Sequence, residues 1–209
     1  MARTGIVNIV SIRYYVPMNE MNESEDLQRS LERVSSLLRH ELRETLIPLG
    51  LQAVQFEVLD YIARCNRYSD TPMALTEYLG QTKGSVSQTL KVLEKNALIE
   101  KVADSEDKRV VHLSLTAAGR RVRNKVFPSR VLGKSTPALG KEQLRELNAT
   151  LIELLRALQA QNNRRSFGQC FSCEHHIETG KNKYQCGLTG EALGRTDIKL
   201  ICREHSAVA

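Results

Sequence analysis

The sequence predicts a mainly α-helical fold in which a helix-turn-helix is followed by a two-stranded hairpin. Three observations support this prediction. Residues 71–116 have the pattern of a short helix, a turn, a longer helix and a hairpin. Long leucine-rich helices, predicted over 24–46 and 141–163, flank this stretch. Four of the five cysteines lie after residue 167, where the composition changes and a small C-terminal extension is expected.

The helix-turn-helix is predicted from apolar spacing and from its end signals. After Pro72, apolar residues recur at steps of three and four and predict a helix with one buried side: Met73, Leu75, Tyr78 and Leu79. Gly80 is expected to end it. Thr82 is expected to cap the next helix, which runs to about Lys95 and buries Val86, Leu90 and Leu93.

The opposite face of the second helix carries small, amide-bearing and basic side chains. Gln can bond adenine edges, Lys can reach guanine or phosphate, and Gly and Ser permit close approach to a DNA major groove. The same composition also fits an ordinary solvated helix face. The residues predicted to contact DNA on this helix are Thr82, Lys83, Gly84, Ser85, Ser87, Gln88 and Lys91.

A charged loop, ADSEDKR, joins two strand-like segments at residues 98–102 and 110–115, and this completes a winged helix. The stretch LEKNALIEKVADSEDKRVVHLSLTAAGR resembles the wing signature of the MarR family of bacterial transcriptional regulators. The matching residues are Asp104, Asp107, Arg109, Leu115, Thr116 and Gly119, within a resemblance that covers about residues 31–158.

The resemblance implies a role for the wing tip. Arg109, next to Lys108, would enter the minor groove, with Asp104 or Asp107 orienting its guanidinium. An alternative is that these charges only tie the hairpin tip together, because exposed ion pairs often contribute little.

The last helix carries a strict leucine seam, with Leu144, Leu147, Leu151, Leu154 and Leu158 on one side. Such a seam favours packing along its whole length against another helix, here the first long helix of the same chain and of a second copy. The family resemblance likewise implies a homodimer with interlocked terminal helices, which would bind an inverted repeat. The alternative is that the first and last helices pack only within one chain and close the core of a monomer.

The chain divides into three predicted regions: a mobile extension at 1–23, a winged-helix DNA-binding and dimerisation domain at 24–163, and a cysteine-rich tail at 164–209.

A net charge of +6 and a pI near 9.1 favour an anionic partner. No apolar run predicts a membrane span and no secretory signal is evident, so a bacterial cytoplasmic location is expected. No catalytic motif is present, and the chain is predicted not to be an enzyme.

The tail is predicted to bind a metal through Cys170, Cys173, Cys186 and Cys202. It has too few apolar residues to fold by burial alone, and a metal would supply the missing stabilisation. Zn²⁺ and an iron–sulfur cluster both use four cysteines, so the spacing does not choose between them. A disulfide switch between Cys170 and Cys173 is a third possibility. His175, His176 and His205 are expected at the surface or around the site rather than as ligands.

These features together predict a dimeric DNA-binding transcriptional regulator, most simply a repressor. Its control could come from a small-molecule effector, as the family resemblance implies, or from a metal or redox signal at the tail. The alternative function is a metal-dependent protein-interaction module that uses the winged helix without specific DNA binding.

Overall fold

The computed structural model describes residues 23–161 and 165–207. Residues 1–22 of the predicted N-terminal extension therefore lie outside the described residues, and Glu23 begins the first helix. The chain separates into two compact units, with the division between Leu37 and Leu38. The winged helix and the cysteine-rich tail both belong to the second unit.

Seven helices and the wing form the order α1 to α4, β1, β2 and α5 to α7 within the described residues. The bounds are α1 Glu23–Leu46, α2 Ala53–Arg64, α3 Pro72–Leu79, α4 Lys83–Lys95, β1 Ile99–Ala103, β2 Val111–Leu115, α5 Ala117–Val126, α6 Arg130–Ser135 and α7 Lys141–Gln161. Strands β1 and β2 pair antiparallel, from Ile99 opposite Leu115 to Ala103 opposite Val111. The predicted winged helix-turn-helix is confirmed.

Helix ends in this region follow local signals. The hydroxyls of Thr71, Thr82 and Thr116 accept backbone N–H bonds at the starts of α3, α4 and α5, which satisfies one of the free donors at each helix N-terminus. Gly80 ends α3 with φ of 63°, in the left-handed region that glycine adopts without steric cost.

The core of the winged-helix lobe is built from the inner faces of α2, α3, α4 and the hairpin. Val58, Leu75 and Leu93 are fully buried, and Val86 and Leu90 are nearly so. The burial of Leu75, Val86, Leu90 and Leu93 is as their spacing predicts. Met73 departs from the prediction, because it is 53% exposed on the first turn of α3. Helix α2 ends at Arg64, since Cys65 is extended and bridges to the tail.

The tail forms a three-stranded antiparallel sheet of β3 His176–Gly180, β4 Lys183–Cys186 and β5 Ala192–Leu193, in the order β3-β4-β5. It is attached to the winged helix by apolar and backbone contacts. Phe167 is buried and its ring lies 5.3 Å from that of Tyr78. Ile201 is 5% exposed and joins the core of the lobe. The tail therefore buries apolar side chains against the lobe, which sequence reasoning did not anticipate.

No single helix in the two described ranges is long and apolar enough to span a membrane.

Candidate nucleic-acid interface and cysteine cavity

The predicted recognition face of α4 is open. All seven residues predicted there are exposed, from Thr82 to Lys91, whereas the buried stripe points into the lobe. A Cβ placed on Gly84 would meet only the Thr82 hydroxyl, at 3.9 Å. No packing within the described part of the chain therefore requires glycine there, and a flat surface remains for a partner to approach.

The wing tip is held in one shape by Asp104 and Asp107. One carboxylate oxygen of Asp104 accepts the backbone N–H groups of Glu106 and Asp107, each at 2.8 Å. Asp107 receives the Arg109 guanidinium in a two-bond contact, Nε at 2.9 Å and Nη2 at 3.0 Å. This contact lowers the pKa of Asp107. The Arg109 side chain is still 91% exposed, so it is oriented but free to bind.

Of the two acidic residues predicted to orient Arg109, Asp107 makes the contact. The side chain of Asp104 instead orders the loop backbone and reaches His112, with its second oxygen 3.1 Å from His112 Nε2. Lys108 is exposed beside Arg109. The tip thus presents two adjacent cations on an ordered turn.

His112 is a feature of this surface that sequence reasoning missed. Its Nδ1 lies 2.6 Å from Asp70, which precedes the Thr71 cap of α3. Hydrogen bonds to Asp70 and then to Asp104 raise the pKa of His112. The alternation in β2 shows only that His112 faces away from Leu113, and its partner Asp70 lies too far along the sequence to be inferred from it.

The four predicted ligand cysteines line one cavity of about 430 Å³. It lies between the tail and the segment that follows α2, where Asn66 and Tyr68 also contribute to its wall. In residues 23–161 and 165–207, no three Cys, His, Asp or Glu side chains converge closely enough to enclose a metal ion. The cysteines therefore face a common space without forming a closed coordination shell.

Two of these sulfurs accept several hydrogen bonds. The pKa of Cys186 is lowered overall. Burial would by itself raise it, but hydrogen bonds from the Thr189 hydroxyl and from the Thr189 and Leu188 N–H groups have the larger combined effect. Cys202 accepts bonds from the Asn66 side chain and the Glu204 N–H, yet burial prevails and raises its pKa. In each case the N–H two residues after the cysteine donates to sulfur.

Cys170 and Cys65 are less available as thiolates. Burial, followed by the nearby cysteine charges, raises the pKa of Cys170 to about 11. Burial raises the pKa of Cys65 to about 12, and its thiol donates to the Ile62 carbonyl at 3.6 Å. Cys65 is outside the lining of the tail cavity.

The tail histidines occupy three different environments. His175 lines the cavity, and His176 Nδ1 lies 3.7 Å from the Cys170 sulfur. His205 is buried, at 7% exposure, so of the two places expected for it the surface is excluded. Ser166 and Ser172 lie 2.6 and 3.1 Å from its two ring nitrogens. Both nitrogens are thus occupied, and His205 acts as a structural residue beneath the site.

Another space, of about 530 Å³, lies between α7 and the winged-helix lobe. Leu155 and Gln159 of α7 line one side, and Tyr78 and Arg64 line the other. Phe167 and Ile201 of the tail complete its wall.

Comparisons with known proteins match the winged-helix part of this chain. Residues 49–110 match the family model described as MarR family. An uncharacterised HTH-type transcriptional regulator of Bacillus subtilis (strain 168), YsmB, is 28% identical over 108 residues, which span 50% of this chain and 70% of YsmB.

Solved structures show the same fold. The reduced form of MarR from E. coli has a TM-score of 0.51 and 26% identity, over 66% of this chain and 99% of that one. A mutant MarR from E. coli, complexed with operator DNA, has a TM-score of 0.51 and 27% identity over the same shares. CouR from Rhodococcus jostii RHA1, bound to p-coumaroyl-CoA, has a TM-score of 0.52 at 19% identity, over 64% of this chain and 94% of CouR, and shows the fold alone.

Proposed function

We propose that this chain, a winged-helix protein of the MarR family and a DNA-binding transcriptional regulator, binds an inverted-repeat DNA site as a homodimer. Its family consists of transcription regulators, and the chain is not an enzyme. The bacterial cytoplasm is the proposed location.

Two observations carry the proposal: the exposed polar face of α4 and the Arg109 side chain that Asp107 orients at the wing tip. In this arrangement Gln88 and Lys91 reach base edges or phosphates in the major groove. Thr82, Ser85 and the free N–H groups at the start of α4 face a phosphate, which a helix N-terminus favours. Arg109 and Lys108 follow the backbone into the neighbouring minor groove. The E. coli MarR mutant complexed with operator DNA supports DNA as the partner of this fold.

Helix α7 supports the homodimer. None of its residues is buried in the single chain, and exposed apolar side chains continue along its length: Leu147, Leu151, Ile152, Leu155 and Leu158. A continuous apolar stripe of this kind marks an interaction surface. A second copy would cover it, and two-fold symmetry would place the two α4 helices about one DNA turn, roughly 34 Å, apart.

Two inputs are proposed as alternatives for controlling DNA binding. The space between α7 and the lobe could take a small-molecule effector, and its wall combines Arg64 and Arg165 with Glu57, Asp60 and Glu77. The cysteine cavity could instead take Zn²⁺ or an iron–sulfur cluster at Cys170, Cys173, Cys186 and Cys202, or work as a thiol switch. Repression is the proposed direction of regulation.

Selection of sites from a random duplex pool, followed by anisotropy titrations near physiological salt, tests the DNA-binding proposal. Recovery of an inverted repeat whose binding weakens on Gln88→Ala and Lys91→Ala supports it. If selection yields no inverted repeat and both substitutions are harmless, the metal-dependent protein-interaction module becomes the better account.

Elemental analysis and an absorption spectrum of anaerobically purified protein test the metal. Iron with sulfide and a brown colour indicate a cluster, and one zinc per chain without colour indicates a zinc site. If neither metal is found, the thiol switch is the remaining input at the tail.

A further inference from the structure

His112 lies between two carboxylates that come from different parts of the lobe. Its Nδ1 is 2.6 Å from an oxygen of Asp70, in the segment that leads into α3. Its Nε2 is 3.1 Å from an oxygen of Asp104, at the start of the wing loop. All three side chains are partly buried, between 21% and 31% exposed. The imidazole therefore connects the helix-turn-helix to the wing.

This arrangement favours a ring that carries an extra proton. A neutral imidazole has one N–H donor, and its second nitrogen has a lone pair that only accepts. Ionised carboxylates also only accept, so a neutral ring can satisfy one of the two contacts and sets its lone pair against the other oxygen. The imidazolium donates from both nitrogens. The two contacts together are therefore satisfied by the charged ring.

Other ionisable groups lie next to the two carboxylates rather than on the ring. Those that face Asp70 or Asp104, or share a cavity wall with Asp70, are Tyr61, Cys65, Arg67, Arg120, Arg123 and Asp107. Within residues 23–161 and 165–207, none of them has a hydrogen bond or ion pair with the imidazole. On β1, the residue opposite His112 is the apolar Val102. Asp70 and Asp104 are thus the charges that set the state of the ring.

Asp104 links the ring to the candidate DNA contact at the wing tip. Its second oxygen accepts the N–H groups of Glu106 and Asp107, each at 2.8 Å. Asp107 in turn accepts two hydrogen bonds from the Arg109 guanidinium. A short series of contacts therefore joins His112 to Arg109 through the turn that Asp104 orders.

We propose that His112 is a positioning residue for DNA binding: as an imidazolium between Asp70 and Asp104, it holds the wing tip and Arg109 in the orientation that reaches DNA. This inference rests on the proposed function and adds a pH input to it. When the ring loses its proton to solvent, the remaining N–H stays at the shorter contact, with Asp70. The lone pair of Nε2 then faces Asp104, and the turn that carries Arg109 is released.

The first test is the affinity of the full chain for its selected operator, measured by anisotropy at constant ionic strength between about pH 5.5 and 8.5, on both sides of the ordinary histidine pKa. The two carboxylates raise the pKa of His112, so affinity should be highest at acidic pH and fall as pH rises through the folded-state pKa. The expected fall is about tenfold, the order of one hydrogen bond to a charged group.

Two histidine variants test whether this pH dependence belongs to His112. His112→Gln cannot take up a proton, so its affinity should be low and independent of pH over the same range. His40→Gln makes the same substitution at an exposed histidine on α1 and should keep the wild-type pH profile. A wild-type pH profile in His112→Gln would overturn the proposal.

Asp104→Asn separates positioning from a simple effect of charge near DNA. The amide oxygen can still accept the N–H groups of the loop, and the amide NH₂ can donate to the lone pair of a neutral ring. The wing should then stay attached at both ends of the pH range, and affinity should remain near the acidic wild-type value throughout. If His112 acted only by adding positive charge, Asp104→Asn would keep the wild-type pH dependence, and the positioning role would be wrong.

NMR titration of the full chain without DNA follows the ring itself. We expect both ring nitrogens of His112 to be protonated below the folded-state pKa, and the amide signals of Glu106 and Asp107 to shift with the same midpoint. A ring that titrates near its ordinary value, or amide signals that do not follow it, overturns the proposal. These measurements need no DNA, so they are distinguishable from failure to recover an operator, which would contradict the proposed function instead.

Discussion

The imidazole of His112 lies 2.6 Å from the carboxylate of Asp70 and so joins the second strand of the wing to the residue before the α3 cap. The backbone reinforces the same junction, because the Leu113 N–H donates to the Asp70 carbonyl at 2.7 Å. The other side of the ring meets Asp104, whose carboxylate orders the wing tip. One titratable side chain thus contributes to the junction between the wing and the helix-turn-helix.

This junction predicts a stability that falls as pH rises. The folded-state pKa of His112 is raised, so its contribution is fully present below the unfolded value near 6.5 and is lost as pH rises through the folded value. Burial raises the pKa of Asp70, which acts in the same direction. Urea unfolding between about pH 5 and 8 should show this loss, and His112→Gln should remove it and cost about 1 to 3 kcal/mol at the acidic end. An unchanged pH profile in His112→Gln would show that the junction does not govern stability.

Arg109→Ala should weaken binding to every DNA sequence, because a minor-groove or phosphate contact carries little sequence information. The slope of log affinity against log salt should fall by about 1. Anisotropy titrations at several salt concentrations measure both. Lys181→Ala makes the same charge change at an exposed site in the tail and should leave the slope nearly unchanged. Wild-type affinity in Arg109→Ala would remove the wing tip from the interface.

Gln88→Ala should relax base preference at one position in each half-site, by about 1 to 3 kcal/mol for a two-bond contact to a base. Lys91→Ala, one helical turn away, serves as the comparison. If it contacts phosphate, all sequences should weaken together. The measurement is the selected-site profile of each variant, and a profile identical to wild type would exclude Gln88 from base recognition.

Two glycines should respond in opposite ways to alanine. At Gly84 the added methyl group has free space, so folding should be unaffected or slightly favoured, whereas DNA affinity should fall if the start of α4 lies against the duplex. At Gly119 the methyl group would overlap the Leu98 carbonyl group and should cost about 1 to 3 kcal/mol of folding stability. Thermal unfolding and operator titrations distinguish the two effects. Unchanged DNA affinity in Gly84→Ala would mean that the start of α4 is not closely approached.

Leu151→Asp should convert the homodimer to monomer, because a charge in the middle of the apolar stripe of α7 would be buried without a partner. Light scattering at micromolar concentration gives the mass, and circular dichroism checks that helix content is retained. Ala149→Asp places the same charge on the opposite side of α7 and should remain dimeric. A wild-type protein that is monomeric under these conditions contradicts the homodimer.

Local sequence determined the winged helix and the position of its candidate DNA-contacting face. Apolar spacing within α4 decides which side is buried, and the caps at Thr71, Thr82 and Thr116 act within three residues of themselves. Each of these signals lies within one turn of chain, so it can be interpreted without knowing the fold. The same signals failed for Met73, because helical spacing alone does not show that packing of the described residues leaves it 53% exposed.

Only the tertiary structure decided how the tail and the wing are attached. The composition of the tail was enough to name the candidate ligands Cys170, Cys173, Cys186 and Cys202. It did not show that they line one cavity against the lobe. That arrangement depends on contacts between residues more than a hundred positions apart in sequence, such as Arg203 with Glu77. The His112–Asp70 contact joins residues 42 positions apart. Periodicity and capping encode near neighbours, whereas pairs such as these are fixed by how the elements pack, which no short stretch of sequence specifies.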